Sequence, residues 1–569
     1  MASSSSVVDK GAQVTEGSAT VLFPSANEVF YNPVQQFNRD LSVMAIRAWS
    51  HTLAHERQQK HANSMQRQSK RRKLNEQKSE DCVSSTAPAV VGEDHSSAAE
   101  KLQKNDTVDS KEPETTQNET EPATISTPDI SFTILEALSA TGLRAIRYAK
   151  EIPNLASVTA NDLSQTAVKQ IKLNSEHNST TDKVIPNQDD ARVVMYTAKK
   201  RYHAIDLDPY GSAAPFIDGA VQAVEDGGLL LITCTDLAVL AGDAHPEKCW
   251  SQYGGSTIRQ SEFCHEQALR MVLNTIANSA ARYGRAITPL LSLSIDFYVR
   301  IFVRVDTSPA RVKHLMSNTI LTYQCSGCRS HTNQPMGNVK EGARPDLFKF
   351  SGASLTAGMT CDQCGFSQQI GGPMYGGPLH DHAFIDEILK MTDAEEASGE
   401  TVFGTIPRIR GMLSVAREEL TVPHHWSVAK LTKVVHCQSP PQDKILSAIL
   451  NAGYEVSGSH TTPRSIKTNA PKSFMWDIMR AWIKLNPIKE DSIKPGSPGA
   501  AILARREPAT AIDFTYHKGA KPSSKAQGLV RYQINPTENW GPKTMARGTT
   551  SNTSDQFREK EKRKRSGGD

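Results

Sequence analysis

Three features of this 569-residue chain predict an α/β protein, with a Rossmann-like, mostly parallel sheet and a cysteine-bound second region beyond it. Apolar runs alternate with helix-periodic stretches between Phe132 and Val305. Several of those runs end in acidic or amide residues, and open α/β sheets hold their ligands at the carboxyl ends of their strands. Two Cys-x-x-Cys pairs, Cys325/Cys328 and Cys361/Cys364, follow the sheet.

Phe132 to Leu135 reads as the first buried strand. The small-residue turn from Glu136 to Arg144 and the helical run Ala145 to Ile152 complete a strand, turn and helix, the usual cradle for a nucleotide-like cofactor. The next strand, Ser157 to Ala160, ends at Asn161-Asp162, roughly 20 residues past the glycine turn, where an acid meets a ribose hydroxyl. A third polar end, Asn187-Gln188-Asp189-Asp190-Ala191, lies where an adenine amine is read. Gly228 to Thr233 is a further buried strand, and Leu290 to Ile295 with Tyr298 to Val305 make the hairpin that closes a seven-stranded sheet.

A dinucleotide-binding turn carries G-x-G-x-x-G so that bare backbone can approach a pyrophosphate, whereas here Gly142 stands alone and Arg144 follows it. S-adenosylmethionine has no pyrophosphate. It needs a ribose-binding acid, a place for adenine and room for its sulfonium, and the polar strand ends supply that set.

Residues 203–216 carry the acceptor chemistry. Asp208-Pro209-Tyr210 puts a carboxylate, a proline and an aromatic ring at the exit of an apolar strand. The ring can lie against a nucleobase while the carboxylate and a backbone carbonyl accept hydrogen bonds from an exocyclic NH₂ group. Such an amine has its lone pair delocalised into the ring, so acceptors that hold its protons aim the lone pair at an electrophile. Alone, Asp-Pro-Tyr is also an ordinary strand-to-turn exit. Beside the cofactor set it points to methylation of a base amine, and spacing leaves guanine N2 and adenine N6 both open. The carboxylate at 208 is expected to face the sulfonium across a slot one purine edge wide, not buried in a salt link.

These residues resemble the tRNA guanosine-26 N2-dimethyltransferases in their eukaryotic form. The likeness rests on Val29-Phe30-Tyr31-Asn32-Pro33, Asn38-Arg39-Asp40-Leu41-Ser42, Ala140-Thr141-Gly142-Leu143-Arg144, Asn161-Asp162, Asp206-Leu207-Asp208-Pro209-Tyr210-Gly211, Ser459-His460 and Ile466-Lys467-Thr468. It spans residues 15–50 and 130–485 or thereabouts. The resemblance implies a class I methyltransferase that moves one or two methyl groups from S-adenosylmethionine to the 2-amino group of that guanine in tRNA. It places Arg39, Arg144, Asp162, Asp190 and Ala191 at the cofactor, Asp208 with Pro209 at the catalytic position, and Tyr210 and Phe30 as aromatic neighbours of the base. Tyr210 stands where the family often has Phe, which keeps the stacking face and adds a hydroxyl. A second departure is an insertion over 51–129, rich in Ser, Thr, Glu, Lys, Gln and Asn and expected to be disordered.

The two Cys-x-x-Cys pairs present four thiolates, and Gly327 and Gly365 suggest tight turns, the pattern of a structural zinc ribbon with four cysteine ligands. Redox pairs or buried free thiols are the alternatives. A complete set of cysteine ligands leaves no open position, so zinc here builds a domain and does not catalyse. The remaining cysteines form no disulfide framework, which implies a reducing compartment.

The domain reading is a first catalytic segment over 1–50, the insertion over 51–129, the methyltransferase domain over 130–315, a carboxyl-terminal domain over 316–500 and a basic, largely disordered tail over 501–569. No run of about 18 apolar residues suggests a membrane span, and the first residues lack an apolar secretion core and transit-peptide arginines. Net charge is only +4, but Lys70-Arg71-Arg72-Lys73 and Arg558 to Arg565 concentrate basic residues, which suits nuclear import, with mitochondrion or cytoplasm left open.

In the carboxyl-terminal domain, a helix over Lys444 to Ala452, a strand at Tyr454-Glu455-Val456 and a helix over Lys472 to Leu485 give an α+β, winged-helix-like order. Arg464, Lys467 and Lys472 are then available to tRNA phosphates. His245, His380, His382, His424 and His425 show no ligand spacing, and the glycines between 371 and 377 lack the Lys-Ser or Lys-Thr of a phosphate loop. No obligate protein partner is evident. The competing reading is a noncatalytic RNA-binding scaffold on the same fold, or an enzyme for adenine N6 or an rRNA guanine.

Overall fold

Apolar runs in the middle of the chain become the centre of a seven-stranded sheet. The computed structural model describes residues 13–23, 31–83, 130–344, 347–399, 401–489, 492–504 and 511–532, with side chains to residue 70 in the long first helix. A hairpin of β1 (Gln13–Glu16) and β2 (Ala19–Leu22) leads to α1 (Gln36–Val83). Alternating elements follow: β3 (Phe132–Glu136), α2 (Leu143–Glu151), β4 (Leu155–Asp162), α3 (Gln165–His177), β5 (Val184–Gln188), α4 (Ala191–Thr197), β6 (Tyr202–Leu207), α5 (Ala214–Ala223) and β7 (Val224–Cys234). Helices α6 (Leu237–Leu240), α7 (Pro246–Tyr253) and α8 (Cys264–Ala281) precede the closing hairpin of β8 (Arg285–Ile295) and β9 (Tyr298–Thr307).

The strand order is β5-β4-β3-β6-β7-β9-β8, with β3 to β7 parallel and β9 antiparallel to both its neighbours. Order reverses between β3 and β6, so the loops after those strands diverge and leave a crevice at their carboxyl ends. Leu229 to Ile232 in β7 and Ile134-Leu135 in β3 are fully buried, because parallel strands are covered on both faces. The expected hairpin, glycine turn and strands therefore lie where the sequence places them.

The remaining strands and α-helices are α9 (Pro309–Val312), β10 (Thr319–Cys325), β11 (His331–Pro335), β12 (Gly337–Glu341), β13 (Phe348–Gly352), β14 (Gln368–Tyr375), α10 (His382–Ser398), α11 (Ile406–Glu418), β15 (Trp426–Ser427), α12 (Val428–Val434), α13 (Gln442–Asn451), β16 (Val456–Ser459), β17 (Thr462–Thr468), α14 (Lys472–Leu485), α15 (Pro498–Ala504) and α16 (Ser523–Ala526). Residues 1–50 and 131–569 group as one compact unit and 51–130 as another. Buried ion pairs cross the expected 315/316 division, as between Glu266 and Lys467 at 3.1 Å.

Helix α1 continues to Val83, where disorder is expected from residue 51. No proline or glycine occurs from 51 to 83, and the Gln, Lys, Arg, Glu and Ala that dilute its apolar content are good helix formers. The rest of that insertion, 84–129, and the basic run Arg558 to Arg565 lie outside the described residues. Among the described residues no helix is long and apolar enough to cross a membrane.

Candidate active site

Gly142 caps α2 with φ +78°, and a Cβ there would meet Ile171 at 3.3 Å, so the turn after β3 needs glycine for both conformation and space. That turn starts α2 with Arg144 pointing into a buried acidic cluster. Arg144 donates to Asp206 Oδ2 at 3.3 Å, to Ser42 Oγ at 3.1 Å and to Asp208 Oδ2, with Glu136 at 3.8 Å. Arg300, from β9, donates to Asp206 Oδ1 at 2.8 Å and to Ser42 at 2.8 Å. Burial opposes ionisation of Asp206, but Arg300 and Arg144 together hold its carboxyl below the usual range. Burial dominates at Glu136 and pushes its carboxyl up to about 8, against the pull of Arg144.

Asp208 is salt-linked, contrary to the expectation of an unencumbered carboxylate, yet its side chain remains 21% exposed. Its contacts with Arg144 and with Asn38 Nδ2, at 3.5 Å, both fall on Oδ2. Oδ1 accepts no hydrogen bond from the described residues. Asp208, Pro209 and Tyr210 line a cavity of about 440 Å³, together with Arg39, Arg144 and Asp162, within the range of roughly 300–1,000 Å³ for small-molecule sites. Tyr210 is 56% exposed at the cavity. Burial, then Asp208, lifts its phenol to about 12, so it stays a neutral hydroxyl.

Asp162 closes the cavity on the β4 side. Its Oδ2 accepts from Ala140 N at 2.9 Å and its Oδ1 from Ser164 N at 2.8 Å, which fixes the carboxylate while leaving a lone pair on each oxygen. Arg39 reaches the cavity wall with its guanidinium held by Glu16, Nε to Oε1 at 2.6 Å, and by Asn32 O at 3.0 Å. Asp190 and Ala191 are not among the cavity's lining residues. Asp190 caps α4, accepting from Arg192 N at 2.8 Å and pairing with its side chain, and Ala191 is packed in the core. Phe30 lies outside the described residues.

The Asn38-Arg39-Asp40-Leu41-Ser42 stretch is the floor of this site: Asp40 pairs with Arg147 at 2.7 Å, and Arg147 holds Glu16 at 2.8 Å and Glu151 at 2.9 Å. Four further residues escaped the sequence reading as site components. Glu136 and Thr235 sit at strand ends facing the cavity, Phe297 tips the β8–β9 hairpin into it, and Asn38 holds Asp208. The strand-end rule that selected Asp162 applies equally to Glu136 and Thr235. Thr235 clasps the Asp208 turn, accepting from Gly211 N through Oγ1 at 2.7 Å and donating its own N–H to Gly211 O at 2.9 Å.

Beyond the sheet, Cys325, Cys328, Cys361 and Cys364 come together, all buried and unpaired by disulfide, with Sγ atoms within 4.8 Å of one another. Cys325 and Cys364 are 3.3 Å apart and Cys328 and Cys361 3.6 Å apart. Backbone N–H groups of Gly327, Cys328 and Gln363 point at Cys325 or Cys361 sulfur at 3.3–3.4 Å, which favours thiolates. A second buried group joins His380, Glu419 and His460. Its cation is already Lys467, 2.8 Å from Glu419 Oε1, and His460 Nδ1 sits 2.6 Å from Oε2. Lys467 is 1% exposed, so the expectation that it meets phosphate is overturned: a lysine this deep serves the carboxylates around it. Lys472 pairs with Asp362 at 2.7 Å, and Arg464 is exposed near the start of β17.

A family model for N2,N2-dimethylguanosine tRNA methyltransferases matches residues 9–480. The tRNA (guanine(26)-N(2))-dimethyltransferase of Schizosaccharomyces pombe is 51% identical over 94% of this chain and 92% of its own length. The enzyme of that name from Homo sapiens is 42% identical over 94% and 77%, and the mitochondrial one of Saccharomyces cerevisiae 42% over 95% and 92%. The structure of Trm1 from Pyrococcus horikoshii with S-adenosyl-L-methionine is similar in fold, with a TM-score of 0.57 at 24% identity over 82% of this chain and 99% of that one.

Proposed function

Because the chain belongs to the N2,N2-dimethylguanosine tRNA methyltransferase family, we propose that the cavity between Asp162 and Asp208 brings S-adenosylmethionine against a guanine whose amine Asp208 orients. The activity is that of a tRNA (guanine(26)-N(2))-dimethyltransferase, transfer of one or two methyl groups to N2 of guanosine 26. The observation that carries the site assignment is the convergence of Asp162, Asp208 and Tyr210 on one cavity.

The donor set suits the cofactor. Asp162 keeps lone pairs for ribose hydroxyls, the single-glycine turn is shaped for no pyrophosphate, and the family likeness puts Asp190 and Ala191, at the start of α4, on the adenine side. Arg39 and Arg144 present guanidinium edges for a carboxylate. When bound, the cofactor supplies an electrophilic methyl group on a positively charged sulfur. Asp208 Oδ1 accepts from the N2 amine while Arg144 and Asn38 hold Oδ2, so the lone pair is aimed and the carboxylate does not swing. Tyr210, with Pro209 beside it, and Phe30 from the family likeness, flank the base. After attack the methylated amine is acidic, and its proton passes to Asp208 or water without a strong base. One N–H then remains for Asp208 to hold through a second transfer. Guanine reaches the cavity by leaving its stack.

The four cysteines are a structural zinc site: a tetrahedral Zn–S₄ site with bonds of about 2.3 Å needs sulfurs a little under 4 Å apart, close to the spacing here. Metal analysis should return one zinc per chain. Elements α13, β16, β17 and α14 support a winged-helix-like tRNA-docking unit, with Arg464 among its exposed cations. The basic runs favour the nucleus, and a relative carries a mitochondrial name.

Incubating unmodified tRNA with labelled S-adenosylmethionine and this protein, then analysing nucleosides by mass spectrometry, should give N2-methylguanosine and N2,N2-dimethylguanosine at position 26. N6-methyladenosine as the product would overturn the assignment of the amine.

A further inference from the structure

The β12–β13 hairpin carries an arrangement that isolated sheets avoid. Lys340 and Lys349 are directly opposed in its antiparallel register, and like charges so placed destabilise a hairpin. Both are exposed, as is Arg344 at the turn, and none of the three has an ion-pair partner among the described residues. Phe348 and Leu347, 38% and 49% exposed, interleave with them. The hairpin is not loose: the His314 ring packs edge-on against Phe348 at 5.0 Å and Phe350 at 5.2 Å.

His314 also lines a second cavity, of about 400 Å³, with Arg285 and Arg311. Arg285 is 3% exposed, gives its terminal nitrogens to the carbonyls of Val221, Val224 and Glu225, and leaves Nε with no hydrogen-bond partner among the described residues. Arg311 is braced by Asp306 at 2.9 Å and by Ile287 O at 3.0 Å. Of the acids near the cavity, Asp306 is engaged by Arg304 and Arg311 and Asp381 by the Phe384 N–H at the start of α10, and on the hairpin Glu341 is exposed beside Lys340, one acid against three cations among the described residues.

This face lies at the sheet end away from Asp208. Ile287 is level with Val305 and, through β9, with Gly228 at the amino end of the β7 core. A strand of six to eight residues rises roughly 20–25 Å, so one ligand meeting both ends must be a polymer. From the opposed lysines and the arginine-lined cavity, which His314 joins, we propose that this face grips the phosphate backbone of the substrate tRNA at a stem remote from the target guanine. Cations interleaved with exposed aromatic and aliphatic side chains suit RNA backbone and bases. The proposal deepens the tRNA methyltransferase reading and rests on it.

The test uses the full chain with Lys340→Ala and Lys349→Ala together, and a paired Lys→Arg variant. The alanine variant should bind tRNA roughly tenfold more weakly at 0.15 M salt, with a log–log salt slope smaller by about two, while the arginine variant binds like the parent. S-adenosylhomocysteine affinity and the methylation rate at saturating tRNA should stay as in the parent. Parental tRNA affinity and slope in the alanine variant would overturn the proposal and leave the face to an acidic protein. Lysine-dependent tRNA binding by a parent chain that methylates no guanosine 26 would keep this surface and sink the enzymatic reading instead.

Discussion

The cluster around Arg144 and the cluster around Lys467 are built from the same parts, yet only the first is a site. Arg144 and Arg300 face Asp206 and Asp208, while Lys467 and Arg270 face Glu266 and Glu419. Each sets two cations against two carboxylates inside the protein, and each ties together segments far apart in sequence. The difference is access. Asp208 is 21% exposed on a cavity with one oxygen uncommitted among the described residues, whereas the Glu419 and Lys467 side chains are each 1% exposed and bonded on every side. Balanced buried charge is a scaffold; chemistry begins where the scaffold leaves one acceptor open.

Breaking the closed cluster should have the largest effect on stability. Lys467→Met leaves buried Glu419 with only its histidine partners and Glu266 with Arg270 as its permanent cation, and should cost about 3–5 kcal/mol, read by chemical denaturation, while Asp208→Ala, at the half-open cluster, should leave the unfolding midpoint nearly unchanged. Equal losses would erase the distinction between the clusters. Acid sharpens it next. Burial, the largest single influence, raises Glu266 and Glu419, but Lys467 together with the other cationic and hydrogen-bonding partners outweighs it and holds both well below their ordinary value of 4.5. Their stabilising contribution is present above that value and lost as pH falls through their folded values, so thermal unfolding followed by circular dichroism should move steadily lower below about pH 4.5.

The smallest effect belongs to Glu136. Its carboxyl rises from 4.5 to about 8 on folding, so its contribution is complete below pH 4.5 and lost as pH climbs through about 8. The parent should lose stability between about pH 4.5 and 8, and Glu136→Gln should flatten that loss, as measured by thermal melts across the range. A parallel slope in the two proteins would assign the charge elsewhere.

Much of this site was legible because its parts are local. Asp162 and Asp208 mark the ends of apolar runs, Gly142 marks the turn, and the paired cysteines fall at knuckle spacing. Partners were not legible, because Arg144 meets Asp208 across 64 residues and Lys467 meets Glu266 across 201. Lys467 looked available to phosphate since a lysine in a polar strand edge carries no sign of the carboxylates that a distant helix brings to it. Asp190 and Ala191 follow the right strand, but Asp190 caps α4 and its carboxylate is taken up by the Arg192 N–H and side chain. The helix past residue 51 was hidden for the opposite reason, that low apolar content was weighed and helix propensity was not.

The central claim is that Asp208 orients the acceptor amine and does not hold the tRNA. Single-turnover methylation of unmodified tRNA by Asp208→Asn, with tRNA and S-adenosylhomocysteine affinities measured on the same preparation, tests it most directly. The account predicts a rate lower by about 10²–10³ with both affinities within a few-fold of the parent. A parental rate, or a loss of tRNA affinity as large as the loss of rate, would contradict it.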